Sequence, residues 1–307
     1  MRFDRRQFLK AGAAGATLAG LAGCAGMPGS SKARVVVVGG GYGGSTASKY
    51  IRMLDPSIEV ILVEPNEAFV SCPISNFVLG GFKTMAEITT PYSGLERSHG
   101  VKIVRDTATA IDVEKKQVRL SRGDPLSYDR VIVAPGIDFM LEALPGMGSA
   151  EAQSNVLHAW KAGAQTAALR RQLEAMPDGG TFVLSMPEAP YRCPPGPYER
   201  ACLVAAYFKA AKPKSKVLLL DANADVTSKG PLFKKAWAEL YKDIIEYRPN
   251  SKAVDVDWRN NTVKLEFSDV KAAVLNVLPP MKAGAIAAPF ITANKRWCEV
   301  DWLTYES

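Results

Sequence analysis

Three glycines and one glutamate give the clearest chemical signal in this sequence. Gly39, Gly41 and Gly44 follow a run of valines with the spacing G-x-G-x-x-G. The first glycine permits a tight turn, the second lets a pyrophosphate approach the backbone, and the third lets the next helix pack against the strand. Glu64 ends a second apolar strand, where a carboxylate can accept the adenosine ribose hydroxyls. The pattern therefore predicts a dinucleotide site rather than an ordinary glycine-rich surface turn.

The cysteines are the second set of reactive side chains. Five are present, and no pair has the C-x-x-C spacing of zinc or thioredoxin-type sites. The sequence contains no C-x-x-C-H, so we expect no haem on this chain. Two histidines are too few for a histidine metal site, so we expect no metal either.

The segments around the glycine turn predict a doubly wound parallel sheet. Strands are expected at 35–38, 59–63, 101–104, 108–112, 117–120 and 128–133, and a helix at 45–54. Cys72 follows the second strand, which places it at the carboxyl edge of the sheet beside the cofactor. The last strand ends in Ala134-Pro135-Gly136, a small-residue turn that lets the chain pass close to the cofactor.

A second unit of similar design is predicted after residue 150. Its expected helices are 162–176 and about 198–209, and its expected strands are 181–186, 217–221, 252–257 and 262–267. The turn after the strand at 181–186 is rich in proline, contains one glycine and carries Cys193. Such a turn cannot cradle a pyrophosphate, so we expect no NAD(P)H activity.

The first 30 residues predict an export signal that is separate from the fold. Arg5 and Arg6 match the twin-arginine pattern, and the apolar run at 11–22 is too short to span a bilayer. We therefore expect a periplasmic protein. Cys24 ends a stretch similar to a lipobox, so lipidation at Cys24 and ordinary cleavage near Ala25 both stay open. The net charge is +7, but the lysines and arginines form no run interleaved with aromatic residues, which argues against nucleic-acid binding.

Together these segments resemble the flavoprotein subunit of flavocytochrome c sulfide dehydrogenase, within the FAD-dependent pyridine nucleotide-disulfide oxidoreductase superfamily. The resemblance spans Lys32 to Ser307, and its blocks lie at 38–44, 72–81, 133–138, 158–163, 192–200 and 279–280. The block at 192–200 is the most specific. The resemblance implies that the dinucleotide is FAD and that Cys72 carries it through a thioether bond. The expected FAD contacts are Gly39, Gly41, Gly44, Glu64, Cys72, Ala134 and Gly136.

The same resemblance implies a reaction. Cys193 matches the catalytic cysteine, and Glu199 matches a nearby glutamate that could accept a proton from hydrogen sulfide. In that family sulfide attacks a disulfide beside the flavin, and electrons pass singly to a c-type cytochrome subunit. We expect the helix that starts near Tyr198 to stabilise the Cys193 thiolate. On position alone, Glu199 fits an ordinary first-turn helix residue equally well.

The predicted fold class is α/β, with two Rossmann-like dinucleotide-binding-type domains, the second without a nucleotide fingerprint. The expected limits are 1–30 for the leader, 31–150 for the first part of the FAD-binding domain, 151–270 for the second domain and 271–307 for a return to the first. We expect the returning strand to be Val274–Leu278, with an exposed sheet edge.

The family also continues beyond the point where this sequence stops, which we interpret as a C-terminal truncation. We expect the missing part to hold a flavin-contacting Gly-Asp motif and the partner of Cys193, so that this chain binds flavin weakly and oxidises little sulfide. Cys298 could replace that partner or be an ordinary cysteine, and Cys202 is expected to be a buried small hydrophobe. A sulfide:quinone oxidoreductase and a truncated, non-catalytic FAD-binding remnant remain alternatives.

Overall fold

The computed structural model describes residues 31–292 and 294–307. The predicted export signal and Cys24 lie outside these residues. The described chain contains two four-stranded parallel sheets and several small antiparallel sheets. This architecture confirms the predicted α/β class with two Rossmann-like units. None of the helices in the described ranges combines the length and the apolar character that crossing a bilayer requires.

The first parallel sheet has the strand order β5-β2-β1-β9. Its strands are β1 (Ala33–Val38), β2 (Ile58–Val63), β5 (Lys102–Val104) and β9 (Arg130–Val133). Val36 and Val37 are fully buried, because a central parallel strand is covered on both faces. Helix α1 (Tyr42–Leu54) begins directly after the glycine turn, so its N-terminus lies at the carboxyl edge of β1.

Short elements surround this first sheet. They are β3 (Ala68–Val70), α2 (Ser75–Leu79), β4 (Thr89–Pro91), α3 (Ser93–His99), β6 (Ala108–Asp112), β7 (Gln117–Leu120), β8 (Leu126–Ser127) and β10 (Ile137–Phe139). The predicted hairpin of β6 and β7 is confirmed and continues into β8 as a third strand. β3 and β4 form a small antiparallel pair on either side of α2, the helix that follows Cys72.

The second parallel sheet has the order β13-β12-β11-β17. Its strands are β11 (Thr181–Met186), β12 (Lys216–Asp221), β13 (Ile245–Arg248) and β17 (Val274–Val277). The accompanying helices are α4 (Ala150–Asn155), α5 (Ala164–Ala175), α6 (Gly196–Ala211) and α7 (Gly230–Leu240). The predicted closing hairpin is confirmed as β14 (Ala253–Asp257) and β15 (Thr262–Leu265), with β16 (Asp269–Lys271) as a third strand.

The expectation for residues 274–278 was wrong. β17 does not return to the first sheet, because it pairs in parallel with β11. All four of its residues are buried, and Leu157 bridges to Asn276 at its outer side. Leu275 and Val277 pack with the strands β14 and β15, which cover this face of the sheet. The chain leaves the second sheet only afterwards, when β18 (Met281–Ala283) pairs with β10.

Candidate functional site

A cavity of about 480 Å³ opens at the carboxyl edge of β1, between the two units. Seven of the nine predicted site residues line it: Gly39, Gly41, Glu64, Cys72, Ala134, Gly136 and Cys193. Gly44 and Glu199 are not on its wall. A neighbouring cavity of about 530 Å³ shares Gly41, Tyr42 and Phe69 with it but contains neither cysteine. The reactive side chains therefore single out the first cavity, whose size is in the usual range for ligand sites.

The three glycines of the turn differ in what an added Cβ would contact. Gly39 has φ of 98°, and a Cβ there would lie 2.3 Å from the carbonyl oxygen of Ala134. A Cβ on Gly44 would lie 1.8 Å from the carbonyl oxygen of Gly39, so helix and turn can approach only without a side chain. A Cβ on Gly41 would meet nothing within 4 Å. Gly39 and Gly44 are therefore needed by the fold, whereas Gly41 leaves open the space in front of α1.

Glu64 fixes the backbone of the turn. The residue is 7 % exposed, and one carboxylate oxygen accepts the N–H of Gly40 at 2.7 Å. The other oxygen accepts the backbone N–H and the side-chain amide of Asn66 at 2.9 and 2.6 Å. Tyr92 donates to the carbonyl oxygen of Gly40 at 2.9 Å, and burial followed by the charge of Glu64 raises the pKa of Tyr92 to about 12. The turn is thus preorganised by side chains of its own unit.

Cys72 reaches the cavity from the loop between β3 and α2. Its sulfur accepts the backbone N–H of Ala162 at 3.3 Å and lies 3.6 Å from Nη2 of Arg192. Both donors belong to the second half of the chain, 90 and 120 residues away in sequence. The two units therefore meet at this sulfur.

Cys193 lies in the loop between β11 and α6. Its φ is 63°, a left-handed conformation that costs a non-glycine residue about 1–3 kcal/mol and is common at functional sites. Burial, followed by the negative charge of Glu199, raises the pKa of Cys193. The start of α6 acts as expected, because a hydrogen bond from the backbone N–H of Gly196 lowers the pKa of Cys193, but this contribution is outweighed. The loss of solvation outweighs the helix N-terminus, so the resting side chain is a neutral thiol.

Glu199 lies in the first turn of α6 and is half-buried. Its charge acts on the thiol of Cys193 and also contributes to the raised pKa of Cys202, which is due first to burial. The carboxylate is therefore close enough to influence Cys193 while it stays off the cavity wall. This placement suits a base for the Cys193 thiol better than a group in direct contact with a cavity ligand.

Other side chains on the cavity wall were not among the predicted site residues, and they include Asn76, Trp160, Arg192 and Arg200. Asn76 accepts from Nε of Arg200 at 2.9 Å and donates to the carbonyl oxygen of Gly196 at 3.2 Å. The indole of Trp160 donates to the carbonyl oxygen of Arg192 at 3.2 Å. Arg200 is four residues before Val204 and eight before Phe208 on the buried face of α6. A lone charge on an apolar helical face was the sequence signal that could have identified it.

The remaining cysteines lie away from this cavity. Cys202 is packed against the core of the second unit, as expected of a small hydrophobe, but it is half-buried rather than buried, and its sulfur accepts the indole N–H of Trp237 at 3.3 Å. The backbone of Cys298 forms an isolated antiparallel β-bridge with Ile291, and the sulfur of Cys298 lies 3.8 Å from the carbonyl oxygen of Ala287. All four cysteines of the described residues are free thiols, so Cys298 does not pair with Cys193.

The second unit has an acidic residue in the position that Glu64 occupies in the first. Asp221 ends β12 and accepts the hydroxyls of Tyr198 and Tyr247 at 2.8 and 3.0 Å. Unlike Glu64, which lines the larger cavity, Asp221 is fully buried and lies off the wall of the cavity next to it, so a ribose cannot reach it. The cavity beyond the end of β11 measures only about 70 Å³. The second unit thus keeps the shape of a dinucleotide domain while its nucleotide position is filled by its own side chains.

Two family models match the chain. The model described as "Sulfide dehydrogenase [flavocytochrome c] flavoprotein chain, central" matches residues 166–279, and "Pyridine nucleotide-disulphide oxidoreductase" matches residues 33–176. A sulfide dehydrogenase flavoprotein chain from Chlorobaculum thiosulfatiphilum is 69 % identical over 45 residues, which cover 15 % of this chain and 94 % of that sequence.

Longer matches come from sulfide:quinone oxidoreductases. The mitochondrial protein of Mus musculus is 25 % identical over 296 residues, covering 87 % of this chain and 61 % of that protein. The solved structure of the Aquifex aeolicus protein superposes with a TM-score of 0.70 at 17 % identity, covering 86 % of this chain and 63 % of that one. The structural match shows a shared fold. The chain spans about three fifths of the length of these relatives.

Proposed function

Because the chain belongs to the family of flavocytochrome c sulfide dehydrogenase flavoprotein chains, we propose that it oxidises sulfide with FAD and passes the electrons to a c-type cytochrome subunit. Two of its relatives are a sulfide dehydrogenase flavoprotein chain and a sulfide:quinone oxidoreductase, and the pyridine nucleotide-disulphide oxidoreductase family implies FAD. One observation carries the proposal: the dinucleotide turn and the half-buried thiol of Cys193 open into one cavity.

The residues at the turn fit FAD. Gly41 leaves the space in front of α1 open, and no side chain caps this helix, so its first N–H groups are available to a pyrophosphate. Glu64 lies at the end of β2, where the ribose of a dinucleotide is bound. Ala134 and Gly136 line the same cavity as Cys72 and Cys193, so all four residues could contact a bound FAD. FAD, when bound, accepts the electron pair released by sulfur.

We assign the covalent attachment of FAD to Cys72. Its sulfur is the one on the cavity wall that receives hydrogen bonds from Ala162 and Arg192, which fix its position. Acid precipitation should leave the flavin colour with the wild-type protein, whereas Cys72→Ala should release it to the supernatant. Release of all flavin from the unmutated protein would exclude the bond.

Cys193 is the residue at which the sulfur chemistry is proposed to occur. Counted from HS⁻, one S–S bond forms to the sulfur of Cys193 while its S–H bond breaks, which leaves a persulfide, one proton and two electrons that FAD, when bound, would accept. Glu199 takes the thiol proton, because the raised pKa of Cys193 means that a base is needed to expose its thiolate.

The test is an anaerobic titration of the FAD-loaded protein with sulfide, followed by flavin absorbance. We expect bleaching in the wild type and in Cys202→Ser, the matched cysteine control, and none in Cys193→Ser. A bound flavin that sulfide does not bleach in the wild type would support the alternative of a non-catalytic FAD-binding remnant.

The electron acceptor separates the proposal from its nearest enzyme alternative. The long match to the mouse sulfide:quinone oxidoreductase favours a quinone acceptor as a second candidate. Sulfide-reduced protein should be reoxidised faster by a c-type cytochrome than by a soluble short-chain quinone, and the reverse order would favour the quinone enzyme.

We place the protein in the periplasm on the basis of Arg5 and Arg6, with a lipid anchor at Cys24 as an open possibility. Cell fractionation of Arg5→Lys/Arg6→Lys should show retention in the cytoplasm, and mass spectrometry of the exported N-terminus would distinguish lipidation from cleavage.

A further inference from the structure

Arg200 is a buried cation whose hydrogen-bond acceptors are all uncharged. The residue is 1 % exposed. Its guanidinium donates to Oδ1 of Asn76 and of Asn276 at 2.9 and 2.8 Å, and to the carbonyl oxygens of His158 and Ala159 at 2.9 and 2.7 Å. Burial lowers the pKa of Arg200 to about 9, which reflects the cost of holding this charge out of water.

The position of this charge points to a ligand. Arg200 lies on the wall of the cavity together with Arg192, and the guanidinium of Arg200 stacks on Trp160 at 4.8 Å. We call the wall formed by Cys72, Trp160, Arg192, Cys193 and Arg200 the sulfur end. Two of its five side chains are cationic, and none is a carboxylate.

The other titratable groups nearby do not cancel these charges on the cavity side. Glu64 also lines the cavity, but its two oxygens accept hydrogen bonds from Gly40 and Asn66 and none from a residue of the sulfur end. Glu199 is the nearest acid, but it acts on Cys193 from the side of α6 and does not line the cavity. His158 is neutral near pH 7, because burial and then the charge of Arg200 lower its pKa to about 4.

We propose that the sulfur end is a binding site for a small anion, so that sulfide is taken up as hydrosulfide rather than as neutral hydrogen sulfide. This identification of the substrate form rests on the proposed function, whereas the anion site itself does not. An anion beside two guanidinium groups offsets the desolvation of Arg200, and a neutral molecule cannot. The sulfur end should therefore bind an anion in preference to a neutral molecule of the same size.

The test compares two reagents of nearly equal size, anionic iodoacetate and neutral iodoacetamide, on the FAD-loaded protein without sulfide. Both alkylate the thiolate, so the ratio of their rates cancels the thiolate fraction and reports the local potential. Peptide mapping gives this ratio for Cys193 and, within the same digest, for Cys298 as an internal reference. We expect the ratio at Cys193 to exceed that at Cys298 by about fivefold or more, and to fall as ionic strength rises.

Three variants sharpen the result. Arg192→Gln and Arg200→Met should each lower the ratio at Cys193, while Arg200→Lys should largely preserve it. Arg170→Gln is the matched control, because this half-buried arginine pairs with Glu174 away from the cavity. If Arg200→Met fails to fold, the ratios measured for the wild type and for Arg192→Gln still test the proposal.

Equal ratios at Cys193 and Cys298 in the wild type would overturn the proposal. A high ratio that appears only in FAD-free protein would also overturn it, because the two arginines would then bind the phosphates of FAD and not a separate small anion. A high ratio in a protein whose flavin sulfide does not bleach would keep the anion site and refute only the proposed oxidation.

Discussion

Replacement of Gly41 by valine separates the ligand-binding role of the glycine turn from its structural role. Gly41 has φ of −69° and ψ of −168°, an extended conformation that a β-branched residue adopts without strain. Because a Cβ there meets nothing within 4 Å, the ligand-free protein should keep its stability to within about 0.5 kcal/mol. The added side chain projects instead into the space predicted for the pyrophosphate.

The expected loss of affinity follows from two terms. Forcing a branched side chain against a ligand costs about 1–3 kcal/mol, as overpacking does in protein cores. Each hydrogen bond lost between a backbone N–H and a charged phosphate costs about 1.5–3 kcal/mol. With one such bond lost, the sum of about 2.5–6 kcal/mol corresponds to a Kd for FAD raised roughly 10²- to 10⁴-fold.

The assay is a fluorescence titration of ligand-free protein with FAD in a Cys72→Ser background, so that no covalent bond can hold the flavin. Thermal unfolding of the ligand-free protein serves as the stability control. Gly94→Val is the matched variant, because a Cβ at Gly94 also meets nothing within 4 Å but lies outside this cavity. Gly44→Ala should behave oppositely and destabilise the fold itself. If Gly41→Val binds FAD like Gly94→Val, the pyrophosphate does not lie on this turn.

Three further outcomes are expected. Glu199→Gln should shift the pH profile of Cys193 alkylation by iodoacetamide to lower pH, because removing the negative charge favours the thiolate. An unchanged profile would show that Glu199 does not act on Cys193. The pKa of His158 falls from 6.5 to about 4 on folding, so the unfolded chain takes up this proton first and the free energy of unfolding declines as pH falls from about 7 towards 4. His158→Asn should remove about 3 kcal/mol of that decline, measured by urea unfolding at each pH. An equal pH slope in both proteins would contradict this assignment. NADH should not reduce the bound flavin at a rate near that of sulfide, since Asp221 is held by Tyr198 and Tyr247, and comparable rates would refute this.

The features of this site that could be predicted from sequence are those set by local chain chemistry. The tight turn at Gly39 and the close packing at Gly44 follow from the absence of a Cβ, which is visible in a single sequence. The strand pattern likewise placed Glu64 and Cys72 at the carboxyl edge of the first sheet, as the structure shows.

The features that could not be predicted depend on distant partners. A short strand with three apolar residues, such as Val274–Val277, carries no information about which sheet it joins, and its partner Phe182 is more than 90 residues earlier. The pKa of Cys193 depends on burial, which the sequence around a helix start does not reveal. Arg200 contacts Asn76, 124 residues before it, so its place in the cavity emerges only when the two units meet.

The central claim is that FAD and Cys193 act on sulfide in one cavity. Its most direct test is to mix FAD-loaded protein anaerobically with one equivalent of sulfide, count reduced flavin by absorbance, and map persulfide sulfur by peptide mass spectrometry after alkylation. The account predicts one added sulfur on the Cys193 peptide for each flavin reduced, and none on Cys202 or Cys298. Flavin reduction without added sulfur on Cys193, or with the sulfur on Cys298, would contradict it.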